Sequence, residues 1–311
     1  MKGLELSRRF FEAYGMPMLR EQFAALLPHL AAGLLGSGSE CFGFDDAVSR
    51  DHDFEPGFCI FLPGEDVVDR RAGFQLERAY AKLPREFEGV SRPVLLPVGG
   101  ARRGVLRTGE FFTEKVGAPD GALTLGQWLS LPEQALAEAT NGEVYFDNAG
   151  ELSAIRERLA YFPEDVRLKR LAGHLLLMAQ SGQYNYVRCL AHGEPAAAQM
   201  AVGEFVKSAL SAVFLLNRRY QPYYKWSFRA LRGLPLLSEL AAPLEALLTT
   251  DNAAPAEKSD TIERVAAAVI DALQAQDLTQ AVCGDLEKHA YSVNDRVSDG
   301  DLRNAHVLAA V

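Results

Sequence analysis

The sequence predicts an α+β chain: a mixed β-sheet with helices over residues 1–150, then an all-α helical bundle over 151–311. Two patterns carry this prediction. Short apolar runs bounded by Gly, Pro and Asn recur through the first half, as strands and turns do. From Leu152 onward the apolar residues instead recur at intervals of three and four, the helical period. Charge divides the chain as well. Residues 1–150 carry 15 basic and 22 acidic side chains, 151–250 carry 12 and 8, and 251–311 carry 5 and 11.

Taken in order, the first 35 or so residues read as helices running into a strand. Leu19, Phe23, Leu26, Leu27 and Leu30 recur at helical spacing, and Ala31-Ala32-Gly33-Leu34-Leu35 is an apolar run that stops at Gly36-Ser37-Gly38-Ser39. Residues 51–62 read as a second strand, closed by Pro63-Gly64. A short helix is expected over 75–82, an extended piece over 93–98, and a third strand over 104–112. Glu143-Val144-Tyr145-Phe146-Asp147 is a short extended segment ending in a turn at Asn148-Ala149-Gly150. Helices follow at 167–181 and 199–219. His174 falls inside the first of these and reads as a core histidine with its hydrogen bonds met. Residues 249–258 read as a loop. Asp260 with Glu263 has the spacing of a capping box for the next helix, whose stripe is Ile262, Val265, Ala266, Val269, Ile270 and Leu273.

The chain has 311 residues, a formal charge of −9 and 48% hydrophobic residues, within the range of soluble globular proteins. No fully apolar run approaches the roughly 20 residues of a membrane span. The first residues show no apolar signal region, and Cys41, Cys59, Cys189 and Cys283 lie far apart, so reduced thiols and a cytoplasmic location are expected. An acidic chain with a basic middle suits a compact anionic ligand better than general nucleic-acid binding, and neither a nucleic acid nor a membrane is an expected partner.

Residues 36–54 carry the chemistry. A Gly/Ser turn directly after an apolar strand can turn backbone N–H groups and a hydroxyl toward phosphate oxygens. Asp51 and Asp53 stand two apart, so on a strand both carboxylates leave the same face. Paired carboxylates repel unless a cation lies between them, and Mg²⁺ takes such oxygen ligands while keeping positions for phosphates. His52, between them, faces the other side and is expected to be structural. Asp45 and Asp46 read as solvated turn residues. Farther on, residues 156–232 hold 12 basic and 5 acidic side chains, with Tyr184, Tyr186, Tyr223, Tyr224 and Trp226 interleaved among Arg188, Lys225 and Arg229. Such a mixture can stack on a base and neutralise phosphate, with Lys225 the foremost candidate.

The order Gly36-Ser37, spacer, Asp51-His52-Asp53 resembles the nucleotidyltransferase superfamily of polymerase-β-like and antibiotic-modifying enzymes. The strings Tyr184-Asn185-Tyr186-Val187-Arg188-Cys189 and Pro222-Tyr223-Tyr224-Lys225-Trp226 look like those of an uncharacterised bacterial family within it. The resemblance implies a nucleotidyltransferase-fold sheet domain and a helical domain completing a cleft. It also implies transfer of a nucleoside monophosphate from a Mg²⁺-bound triphosphate, with ATP foremost, to an acceptor hydroxyl with loss of pyrophosphate. Asp51 and Asp53 then hold the metal. Gly36, Ser37, Gly38, Ser39, Arg50, Tyr184, Tyr186, Arg188 and Lys225 contact the nucleotide. A third carboxylate is usual in the superfamily, and the core positions of the candidate third strand carry none. Glu110, late in that strand, is the residue assigned to the role, with Glu143 and Asp147 as other possibilities. A degenerate member that binds nucleotide without turnover is the alternative.

Overall fold

The structure, a computed structural model, describes residues 1–50, 54–92 and 102–311. It divides into two compact units, Met1–Leu123 with Gln134–Ala160, and Thr124–Glu133 with Tyr161–Val311. Helix α7 (Glu151–Arg158) counts with the first unit, ten residues past the expected division at 150. The Asp147 carboxylate accepts from the N–H groups of Gly150 and Ser153 and so ties the start of α7 to the preceding strand.

The other elements of the first unit are α1 (Gly3–Phe10), a π-helical turn Phe11–Gly15, α2 (Met16–Gln22), β1 (Ala31–Leu34), β2 (Cys59–Leu62), α3 (Arg70–Ala81), the two-residue strands β3 (Glu86–Phe87) and β4 (Val90–Ser91), β5 (Gly104–Arg107), α4 (Thr108–Val116), α6 (Glu133–Thr140), which starts one residue inside the second unit, and β6 (Glu143–Asp147). Helix α5 (Leu125–Ser130) lies in the second unit. The main sheet runs β5-β2-β1-β6, with β1 antiparallel to both neighbours and β2 parallel to β5. Side chains alternate across it. Ala32, Ile60 and Leu62 join a core with Phe10, Phe11, Leu19, Phe58 and Leu76, while Phe61 meets Phe111 of α4 edge-on at 5.4 Å. Each of the larger of these side chains contributes roughly 1.5–3 kcal/mol by leaving water.

Two expectations change here. The second strand begins at Cys59, and the first described residues ahead of it, 54–58, are irregular. The expected third strand stops at Arg107. Thr108 Oγ1 donates to the Leu62 carbonyl at 3.1 Å, and the chain turns into α4, burying Phe111 and Phe112. Glu110 therefore stands in the first turn of a helix. The expected extended piece at 93–98 lies outside the described residues.

The second unit is helical: α5, α8 (Glu164–Met178), a π-helical segment Ala179–Asn185, α9 (Tyr186–Ala191), α10 (Pro195–Leu216), α11 (Tyr224–Leu231), α12 (Ala241–Thr249), α13 (Pro255–Ala275), α14 (Leu286–Asn294) and α15 (Gly300–Asn304). The expected loop at 249–258 ends early. Pro255 opens α13, where its fixed φ suits a first helical turn, so Asp260 lies inside the helix and caps nothing. Lys258 is buried, donating to Thr250 O, Gln199 Oε1 and Asn252 Oδ1. The expected stripe of α13 is buried from Ile262 to Leu273. Among the described residues α10 is the one helix long and apolar enough to cross a membrane, and two-thirds of that stretch is buried.

Buried charge gives this unit a pH response. Glu133 accepts from the Gln221 N–H at 2.9 Å, and enclosure of its carboxyl pushes its pKa up to about 7 against the pull of that hydrogen bond and of Arg170. The folded state thus holds this proton more tightly than the unfolded chain. Its contribution is complete below pH 4.5 and is lost as pH rises through 7. His174 acts oppositely. Burial, reinforced by Arg170 and Lys207, drives its pKa down to about 3. Its Nδ1 has no hydrogen-bond partner, contrary to the expectation of a satisfied core histidine. Its contribution is present above pH 6.5 and lost as pH falls toward 3. We expect Glu133→Gln to flatten the urea-midpoint profile between pH 4.5 and 7, and to exceed the wild type by about 2 kcal/mol at pH 8.

Candidate functional site

The chain leaves β1 through the Gly/Ser turn. The Asn141 side chain brackets Gly36, accepting from its N–H at 2.9 Å and donating to its carbonyl at 2.8 Å. Gly36 and Gly38 have φ of +102° and +125°, a region that side chains rarely adopt. A Cβ on Gly38 would fall 2.5 and 2.6 Å from the two carboxylate oxygens of Glu40. Gly38→Ala is therefore expected to lower stability by about 2 kcal/mol, read by thermal unfolding.

Glu40 itself is buried against Arg103, with Nη2 to Oε1 at 2.9 Å and side chains 9% and 5% exposed. Arg103 Nη1 also donates to the Glu55 carbonyl at 2.5 Å. Asp45 is not a solvated turn residue. It is buried and accepts from the Gly3 N–H at 2.9 Å, with Lys2 Nζ 3.7 Å away. Asp46 does make a turn, accepting from the N–H groups of Val48 and Ser49.

In front of the turn is a cavity of about 330 Å³, walled by Gly36, Ser37, Arg102, Arg107 and Lys115, with Glu110 and Glu114 also lining it. Arg107 is fixed there by donating to the Pro63 and Val68 carbonyls at 2.6 and 2.7 Å. Lys115 Nζ lies 2.9 Å from Ser37 Oγ and 2.9 Å from Glu138 Oε2, and the Ser37 hydroxyl donates to the same Glu138 oxygen at 2.7 Å. Burial by itself would raise the Glu138 pKa. The hydrogen bonds from Ser37, Gln134 and Lys115, with the Lys115 charge, outweigh it and hold the carboxyl below the usual range. A second cavity, of about 730 Å³, shares Arg107, Glu110 and Glu114 and extends to Glu65, Asp120 and Glu151.

The remaining predicted residues fall as follows. Ser39 precedes the short 3₁₀ turn Glu40–Phe42, and Arg50 closes another, Val48–Arg50. Asp51, His52 and Asp53 lie outside the described residues. Glu143 is an ion-pair partner of Arg8, and Asp147 is committed to α7. Tyr184, Tyr186, Arg188 and Lys225 belong to the second unit. Tyr184 is exposed beneath the Arg188 guanidinium at 4.8 Å, and Lys225 Nζ is 5.0 Å from the Trp226 ring centre. Tyr186 departs from its expected role. It is 0% exposed, with its hydroxyl on Asn252 Oδ1 at 3.2 Å, so its ring presents no face to a ligand. Among the described residues no three His, Cys, Asp or Glu side chains are grouped to hold a metal.

Residues 128–227 match the model of a Domain of unknown function (DUF4037). That span begins well beyond the Gly/Ser turn and ends inside α11. No curated protein matches the chain. Among solved structures, a nucleotidyltransferase-like protein from Exiguobacterium sibiricum is similar at 11% identity and a TM-score of 0.38, over 91% of this chain and 80% of that one.

Sequence reasoning missed Lys115, Glu138, Asn141, Arg102 and Arg107. Lys115 reads as an ordinary helix-end cation, since its partners stand 78 and 23 positions away.

Proposed function

We propose that the chain is a Mg²⁺-dependent nucleotidyltransferase that moves a nucleoside monophosphate from a triphosphate to an acceptor hydroxyl. The observation that carries this reading is the cavity at the Gly36–Ser37 turn, where three cationic side chains meet a serine hydroxyl. A triphosphate brings several negative charges, and cations gathered in a partly enclosed space stabilise them more strongly than water does. The acceptor oxygen attacks the α-phosphorus as its proton passes to a carboxylate, for which Glu110 is the candidate; the bond to the β-phosphate breaks, and pyrophosphate leaves toward the turn. Asp51 and Asp53 would hold the metal, as two hard-oxygen carboxylates two residues apart suit Mg²⁺. When bound, that ion supplies charge neutralisation across the phosphates. Glu110 at the cavity is the candidate third carboxylate. Arg188 and Lys225, exposed beside aromatic rings, are candidates for contacts to the nucleotide. Four free cysteines suit a reduced, cytoplasmic setting.

Nucleotide binding without turnover is the second reading. It is favoured by the position of Glu110 on α4 while β5 itself carries no acid. Pyrophosphate release measured with each of four triphosphates and Mg²⁺, ATP first, over small-molecule, protein and RNA-end acceptors, separates the two. Release with at least one acceptor is expected. Calorimetric binding with no release from any pairing would select the second reading.

A further inference from the structure

We infer that Lys115 is the cation that receives the pyrophosphoryl group in this cavity, and that Glu138 is its resting counter-ion, which entering phosphate displaces. The inference rests on the reading above and assigns residues for which the Gly/Ser and Asp-x-Asp pattern has no place. Lys115, Glu138 and Ser37 form a closed triangle in which every edge is a hydrogen bond of 2.7–2.9 Å. Lys115 is 13% exposed at its side chain and lines the cavity, with Glu114 Oε1 a further 3.5 Å away. An ammonium has three protons on a flexible stem. It can trade a carboxylate oxygen for a phosphate oxygen by a small rotation.

Arg107, one of the two other cations lining the cavity, does not make that exchange. It is fixed by two backbone carbonyls. Glu138 cannot follow Lys115 either. Its other oxygen accepts from Gln134 Nε2 at 3.1 Å, one turn back on the same helix. The carboxylate therefore stays in place while the ammonium moves, and Ser37, still held by Glu138, keeps the turn in shape. In the resting protein the charge of Lys115 is masked. Masking makes binding selective for ligands whose charge density exceeds that of one carboxylate, which describes di- and triphosphates and excludes monoanions.

The test is calorimetry of inorganic pyrophosphate, with and without Mg²⁺, on the full chain. Lys115→Ala and Lys115→Met should each weaken binding at least ten-fold, the second variant keeping the aliphatic stem. Lys115→Arg should restore it only in part. Glu138→Gln should tighten binding about three-fold or more, because the competing charge is gone while an amide oxygen still accepts from Ser37. Melting curves establish that each variant is folded. No pyrophosphate binding by the wild type, or Lys115 variants within two-fold of it, overturns the assignment. Weakening by Glu138→Gln to the level of Lys115→Ala overturns the counter-ion role. Pyrophosphate binding with the expected pattern, in a protein that releases none from any triphosphate, leaves this inference standing and removes transfer. Release that is indifferent to Lys115 does the reverse.

Discussion

Asp51→Ala and Asp53→Ala are each expected to lower nucleotidyl transfer by about 10²–10³-fold, the scale of removing one preorganised charge from a phosphoryl-transfer site. The reason lies in the donor set. Two carboxylates at i and i+2 make a divalent site only together, so deleting either leaves a single weak ligand. Circular dichroism of the variants should match the wild type. Thermal stability in the absence of metal should rise slightly, since the repulsion between the acids is relieved. Pyrophosphate release reads the first effect, and calorimetry with a non-hydrolysable triphosphate and Mg²⁺ reads binding. Unchanged release and unchanged affinity in both variants would sink the two-aspartate site.

Arg103→Met is expected to lower the stability of the first unit by about 3–5 kcal/mol, the range for stranding one member of a buried ion pair. It leaves the Glu40 carboxylate buried against Gly38, with no guanidinium to meet it. For a unit of this size the melting temperature should fall by about 10 °C. Arg103→Met combined with Glu40→Gln should recover much of the loss, because the double variant buries no unpaired charge. Urea unfolding of the four proteins closes the cycle. A single-variant loss below about 1 kcal/mol would mean that water reaches Glu40.

The readable parts of this chain are those whose cause is local. β1 and its turn follow from five apolar residues meeting Gly-Ser-Gly-Ser, and the buried stripe of α13 follows from a regular helical period. Elsewhere two local signals compete, and the more conspicuous one is not the one the fold obeys. Asp260 with Glu263 has capping-box spacing, yet Pro255 sets the helix start five residues earlier. Residues 104–112 read as a strand, but Phe111 and Phe112 are packed by a helix whose start is fixed by Thr108 on the Leu62 carbonyl. The triangle of Ser37, Lys115 and Glu138 was not legible at all. Its members come from a turn and two helices, and only the fold makes them neighbours. Tyr186 failed for a related reason: an aromatic between polar residues looks available for stacking until its helix turns it inward.

Lys169 has a consequence for how the protein is made. Its side chain is 0% exposed, and its ammonium is met by neutral oxygens, Asn294 Oδ1 at 2.8 Å and the Ala305 carbonyl at 2.7 Å. These acceptors are synthesised some 125 and 136 residues after the lysine. Until they leave the ribosome, α8 carries an unmatched charge on the face that the core must close over. The first unit has every residue it needs once residue 160 has emerged, whereas the helical unit can lock only when synthesis has passed residue 305. A ribosome stalled at residue 290 would therefore hold a finished sheet unit followed by a protease-sensitive helical segment. Emergence of the chain through residue 305 would convert that segment to a resistant one in a single step.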